Sequence, residues 1–520
     1  MSRKTLQTLL WNLGGLVVVL ALLYFAAPTL VHKIAFEGVA LRFLYVLPWI
    51  VWAIVLWQAT NHLNFFRRRA VVIGIFTAAL IVLWDIVLYT STGYFTYNMF
   101  AKFEQRTSMV PTNADFIRYS AIQTADVDMS NFITAATEKV KDEDAKGVGE
   151  YTMPLITKDG FGYIAPILPD GLLATYTQDN PGFIVYDDRS DARTKVRRVD
   201  QPFEIGPEML WFDNLDRHLI FTDFFATYEK PHFLQLDPKQ PNKFVAAIPK
   251  IKFRFWRFPY WGGVVLVHDD GTIEDLSREE ALADKRLKGQ WIAPIGLTRH
   301  YVELQNYDVG WGLLSPYVNV TGKLEIPKLP GNNQFPFITR GADDKTYLIT
   351  ATKAARGGAG MYRMYYTDAS TGEGSYFEYE KGSLVYGPTA GLDRVPNLPG
   401  FNWYRRTNTS ESGNMLAIEP VYIVHKDNPK QLYWKFSITN TNFAGVSAVV
   451  VASAKRPDEM TVFERRSEFE AWLRGGEASP GAEVAKLQTD ASLSDEVARL
   501  RLVIEGLLRD IISLQEKVAK

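Results

Sequence analysis

Gly263-Val264-Val265-Leu266-Val267-His268-Asp269-Asp270-Gly271-Thr272-Ile273-Glu274 decides how the larger part of this chain folds. Apolar, mostly β-branched residues run into an Asp-Gly turn and come out as a second extended run, the signature of a β-hairpin. Ser277 to Leu282 then reads as a short helix. The pattern recurs upstream and downstream. One copy is Gly162 to Ile167, Gly182 to Asp187 and Thr194 to Val196; a second is Tyr347 to Thr352, Tyr362 to Tyr365 and Ser375 to Phe377. A third is Leu432 to Ile438, Val446 to Val451 and Met460 to Phe463, closed by a helix from Ser467 to Leu473. The shared plan is strand, loop, strand, turn, strand, helix.

A sheet with one helix, carrying the turn Tyr365 to Glu373 with Asp368-Ala369-Ser370-Thr371-Gly372, resembles tandem PepSY-type or cystatin-like modules, whose hairpins read VVxVDAxTGE. The resemblance covers about half of the chain that follows the apolar N-terminal section and carries no catalytic signature. It implies modules that bind or inhibit without catalysis.

Lys250-Ile251-Lys252-Phe253-Arg254-Phe255-Trp256-Arg257-Phe258 stands just before the opening hairpin. On a strand, period two sends the charges to one face and the rings to the other. Lys250, Lys252, Arg254 and Arg257 are therefore the candidate surface site, for anionic headgroups or envelope polymers. The alternative is a half-buried strand with a solvated outer face.

Toward the N-terminus, Leu13 to Val31, Phe43 to Trp57 and Ala70 to Tyr89 are apolar runs nearly free of charge. A hydrocarbon layer of ~30 Å needs roughly 20 such residues, so the expectation is three transmembrane helices. Arg3, Lys4 and Arg67 to Arg69 precede the first and third runs, which places the N-terminus in the cytoplasm and everything after Tyr89 outside it. The expected location is the cytoplasmic membrane, with the lipid bilayer as a partner. The first run also has the form of a signal peptide, although Pro28 would follow its small residues Ala26 and Ala27. Asp85 is the ionisable residue inside a span; it reads either as a polar contact on an ion path or as a side chain reaching water one turn from the boundary.

At the other end, Leu493, Val497, Leu500, Ile504, Leu507, Ile511, Leu514 and Val518 recur at alternating spacings of four and three. Leu falls on every d position and Val or Ile on every a position, the pattern of a parallel coiled coil and so of a homo-oligomer, dimer or trimer. A Gly, Ala, Ser and Pro tether precedes it.

The expected class is thus a membrane-anchored α+β protein. Its sections are 1–97 transmembrane, 98–146 a helical stalk, 147–330 and 331–475 two β-rich regions, 476–490 a linker and 491–520 the coiled coil. Basic and acidic residues number 57 and 58, which gives no electrostatic reason to expect nucleic acid. Cysteine is absent, which excludes disulfides, thiolate metal sites and cysteine nucleophiles. The seven histidines include no H-E-x-x-H pair, no G-x-S-x-G elbow occurs, and the acidic groups at Asp126, Asp187 and Asp368 complete no EF-hand loop. Gly357, Gly358 and Gly360 lie between strand patterns, as a hairpin loop and not a phosphate loop. No cofactor, metal or catalytic residue is expected. The functional expectation is a non-enzymatic, oligomeric scaffold of a bacterial envelope that binds itself and other envelope proteins. The alternatives are a transport or channel component using Asp85, and an envelope hydrolase or peptidase inhibitor.

Overall fold

The computed structural model describes most residues of 151–475, a few short strands outside that range, and seven helical positions among the first 32. The chain is mostly β and divides into two compact units. Residues 1–328 with 334–383 form the first, and residues 329–333 with 384–520 the second.

Among the described residues the first unit contains three sheets, antiparallel except for one parallel edge pairing in the third. In the first sheet β1 (Met153–Thr157), β2 (Gly160–Pro169), β3 (Gly182–Asp187) and β4 (Val196–Val199) form a meander. From Gly162 to Pro169 every residue of β2 is buried, so this strand is covered on both faces and reads as an apolar run without alternation. Helix α1 (Leu215–Thr222) follows, then β5 (Thr227–Tyr228) and β6 (His232–Leu234). The second sheet is built on the long hairpin β7 (Val245–Arg254) and β8 (Phe258–Val267), flanked by β9 (Ile273–Ser277), with β5 and β6 on its opposite edge.

Alternation along this hairpin divides the hydrophobic core. Ala246, Ile248, Val265 and Val267 pack against Ile164, Phe183 and Val185 of the first sheet and Leu215 and Leu219 of α1. Val245, Ala247, Val264 and Leu266 face the other way, onto Ala281 of α2 (Arg278–Ala283) and Leu297 and Tyr301 of α3 (Ile295–Leu304). Helix α2 begins with a capping box: Ser277 Oγ accepts from Glu280 N–H, and the Glu280 carboxylate accepts from Ser277 N–H at 2.8 Å. The third sheet comprises β10 (Phe337–Arg340), β11 (Thr346–Ala354), β12 (Met361–Asp368) and β13 (Gly374–Glu378).

The second unit carries α4 (Pro388–Leu392) and a sheet of β14 (Met415–His425), β15 (Asn428–Asn440), β16 (Val446–Ser453) and β17 (Glu459–Phe463), followed by α5 (Arg466–Leu473). Trp434, Phe436 and Phe463 are its largest buried apolar side chains, and Trp434 Nε1 donates to the Tyr386 carbonyl at 2.9 Å.

Several sequence expectations are corrected. The described α-helices have 5 to 10 residues, and among the described residues no helix is long and apolar enough to cross a membrane. At 1.5 Å per residue, a helix of about ten residues spans only half a bilayer core. The expected membrane-anchored α+β class, and with it the placement in the cytoplasmic membrane, gives way to a mostly β chain of meander sheets. In the first apolar run the helical residue Tyr24 meets Phe221 and Phe224 edge to face, each at 5.4 Å, while Val18 and Phe25 are exposed; just after it His32 bonds to the Ala226 carbonyl, and most of the run lies outside the described residues. The runs at Phe43 and Ala70, and Asp85 with them, lie outside the described residues.

No long helix for a coiled coil exists among the described residues, and the eight heptad positions from Leu493 to Val518 lie outside them. Within the segment read as a helical stalk, Ser108–Met109, Gln123–Thr124 and Ala145–Lys146 are short strands pairing with β13, β10 and β2. Of the four repeated patterns, only those ending in β9 and β17 run directly into a described helix.

Candidate functional site

Lys250 and Lys252 stand two residues apart on β7 and share a face, as their alternation requires. Each faces a carboxylate. Lys250 is 2% exposed and pairs with Asp275 of β9, two strands away across the sheet. Lys252 pairs with Asp223 at 2.9 Å, and that bond holds its ammonium pKa above the ordinary lysine value. The Arg254 side chain and all of Arg257 lie outside the described residues.

Asp223 ends α1, and its other oxygen accepts the Phe225 N–H at 3.0 Å. Tyr228, opposite Lys250 on β5, donates its hydroxyl to the carbonyls of Leu219 at 2.8 Å and Asp223 at 3.1 Å. Burial, and then the Asp223 and Asp275 carboxylates, push the phenol pKa up, so Tyr228 stays a neutral donor. Two cations, two carboxylates and a phenol thus close on one another at the rim of the core, where buried charges need partners.

Above this cluster lies an aromatic corner. Asn214 caps α1 by accepting the Arg217 N–H at 2.8 Å, and Leu215, Leu219 and Ile220 turn inward. Phe212, Phe221 and Phe225 turn outward, 70%, 39% and 57% exposed. The Arg217 guanidinium spans two of these rings, 5.3 Å from Phe212 and 5.1 Å from Phe221. Helical residues of the N-terminal run sit here: Tyr24 and Phe25 lie against Phe221, and the His32 ring meets Phe224 at 5.6 Å. Burial raises the pKa of the Asp216 carboxyl at the same corner, and the neighbouring His32 acts the other way. Phe25 is 63% exposed. Among the described residues six large hydrophobic side chains are exposed, and Phe25, Phe212, Phe221 and Phe225 are four of them.

The sequence reading found the lysines and missed their surroundings. Asp223 and Asp275 lie more than twenty residues to either side of them; sheet pairing brings in Asp275, and the packing of α1 against the hairpin brings in Asp223. The corner had a signal in Trp211-Phe212 through Phe224-Phe225, where there are more aromatic rings than one buried helix face uses.

Elsewhere in the first unit, Asp368 Oδ1 accepts from Ser370 N–H at 2.8 Å, Ser370 Oγ–H at 2.7 Å and Thr371 N–H at 3.1 Å. This acidic group builds a turn. Among the described residues no group of three or more His, Asp or Glu side chains is placed to hold a metal ion. No protein-family model matches the chain, and neither does any curated protein or solved structure.

Proposed function

We propose that this chain is a non-enzymatic binding scaffold, whose meander sheets are the rigid support and whose aromatic corner on α1 receives an apolar helical segment of a partner. The observation that carries this reading is the concentration of exposed rings at Phe25, Phe212, Phe221 and Phe225. Contiguous exposed apolar surface in a folded protein marks interaction sites, and aromatic anchors beside an Arg are the residue types that dominate binding energy. The chain's own helical Tyr24 and Phe25, seated on Phe221, illustrate the kind of segment that fits. The paired charges beneath support a structural use for Lys250 and Lys252, because a lysine already matched by a carboxylate gains little from a second anion. The resemblance of Tyr365 to Glu373 to PepSY-type hairpins accords with a binding or inhibitory role.

The test is photo-cross-linking in cells with a benzophenone amino acid at position 225. One dominant adduct is expected, joined through an apolar helical stretch of the partner and lost when Phe212 and Phe221 are replaced by Ser. No adduct, or a ladder of unrelated adducts that survives the double replacement, rejects the reading.

A further inference from the structure

The connection from Glu229 to His232, the first residue of β6, joins β5 to β6 and carries two titratable side chains three residues apart, Glu229 half-buried and His232 buried. Both grip the stretch 291–297. The Glu229 carboxylate accepts the N–H groups of Ile295 at 2.7 Å and Leu297 at 3.0 Å, at the N-terminus of α3 where an anion is favoured. His232 is 2% exposed, and its ring lies 4.0 Å from the Trp291 ring. Its Nδ1 lies 3.1 Å from the Trp291 carbonyl, which can only accept, so Nδ1 carries the proton. Nε2 is then a bare acceptor, and it has no hydrogen-bond partner. The same stretch holds the turn of the third sheet: Ile292 and Ala293 donate their N–H groups to the Ala369 carbonyl at 3.0 and 2.9 Å.

We propose that the Glu229–His232 loop is an acid-released clamp, in which a second proton on His232 Nε2 frees the stretch 291–297 that Glu229 and the Trp291 contacts otherwise hold. A proton there makes a buried cation with no acceptor. Ala247 faces His232 across the strand pair, and β1, packed against β6, has no titratable side chain. On the loop itself Lys230 lies over the Tyr151 ring at 5.3 Å. On the neighbouring elements, Arg299 of α3 is held by Glu303 at 3.0 Å, and Lys250 of β7 by Asp275. His300 of α3 is itself held below its ordinary pKa by burial, which Glu303 opposes.

Burial lowers the His232 pKa from 6.5 to about 4, against a smaller opposing effect of the Trp291 carbonyl. Between those values the unfolded loop binds more protons than the folded one, so the clamp is intact above pH 6.5 and weakens as pH falls through the window. Glu229 has the opposite sign. Burial raises its pKa in spite of the backbone N–H bonds, so its protonation on acidification favours the closed form and cannot cause release.

Hydrogen exchange of the full chain, followed by mass spectrometry and corrected for intrinsic rates, tests this. The opening constant for peptides covering 291–297 is expected to rise between pH 6.5 and about 4 by up to tenfold per pH unit, the opposite sign of Glu229 reducing the slope, while β7 and β8 peptides keep their protection. His232→Phe keeps the ring stack and should abolish the rise, whereas Glu229→Gln should leave it in place. An equal rise in His232→Phe, or none in the native chain, overturns the clamp. Should His232→Phe fail to fold, ring titration of the native protein by NMR decides: a His232 that titrates near pH 6.5, like a solvated imidazole, overturns it too.

Discussion

At residue scale, Gly263 shows how one backbone position shapes the central hairpin. Its φ is +127°, and a Cβ there would stand 2.0 Å from the Leu276 carbonyl oxygen on β9. It marks a bulge, since Lys250 opposes Gly263 while Ile251 opposes Trp261. Gly263→Ala should cost at least about 2 kcal/mol in urea unfolding, through backbone strain and the clash together. A loss below about 1 kcal/mol would mean that β9 moves aside and that the bulge does not depend on glycine. The alternation of Lys250 and Lys252 was legible because period two is local, but their exposure was not. A sequence shows which residues share a face; it does not show that Asp275 and Asp223 wait there.

Among the elements, α1 is the one on which the proposed binding surface depends. It has eight residues, too few to be stable alone, and is held by its buried face and its Asn214 cap. Asn214→Ala removes the bond to Arg217 N–H and the donation from Nδ2 to the Met209 carbonyl at 2.7 Å. A loss of about 1 to 2 kcal/mol is expected from the cap alone, measured as a drop in thermal midpoint. The position-225 adduct should fall with it if the corner needs α1 in place; an unchanged adduct yield would detach the binding surface from the helix. The hairpin of β8 and β9 was readable from its Asp-Gly turn and apolar runs, whereas that of β7 and β8 was not: β7 ends at Arg254 and β8 begins at Phe258, inside the run read as one strand. The short strands at Ser108, Gln123 and Ala145 were not, because two-residue strands have no period to detect and exist only through the sheets they join.

For the whole molecule, the two compact units each bury their own aromatic residues, Phe183 and Phe244 in the first and Trp434, Phe436 and Phe463 in the second. Calorimetry should therefore resolve two transitions. Phe436→Ala, at a fully buried position of β15, should lower one of them, by about 3 to 5 kcal/mol of unit stability, and leave the other in place. A single transition that shifts as a whole would show one cooperative body. The division falls where no composition change announces it: the third sheet, read as the start of a second β-rich region, belongs with the first unit. The sequence by itself determined the strand-rich character of the chain after residue 147, the hairpin of β8 and β9, the absence of cysteine chemistry and the shared face of Lys250 and Lys252, because these follow from residue type and local period. Tertiary structure alone decided which carboxylates neutralise those lysines, which rings stay exposed at α1 and how Glu229 and His232 converge on one stretch. Those are contacts between residues far apart in the chain, fixed by how strands pair and cores close, and no local pattern encodes them.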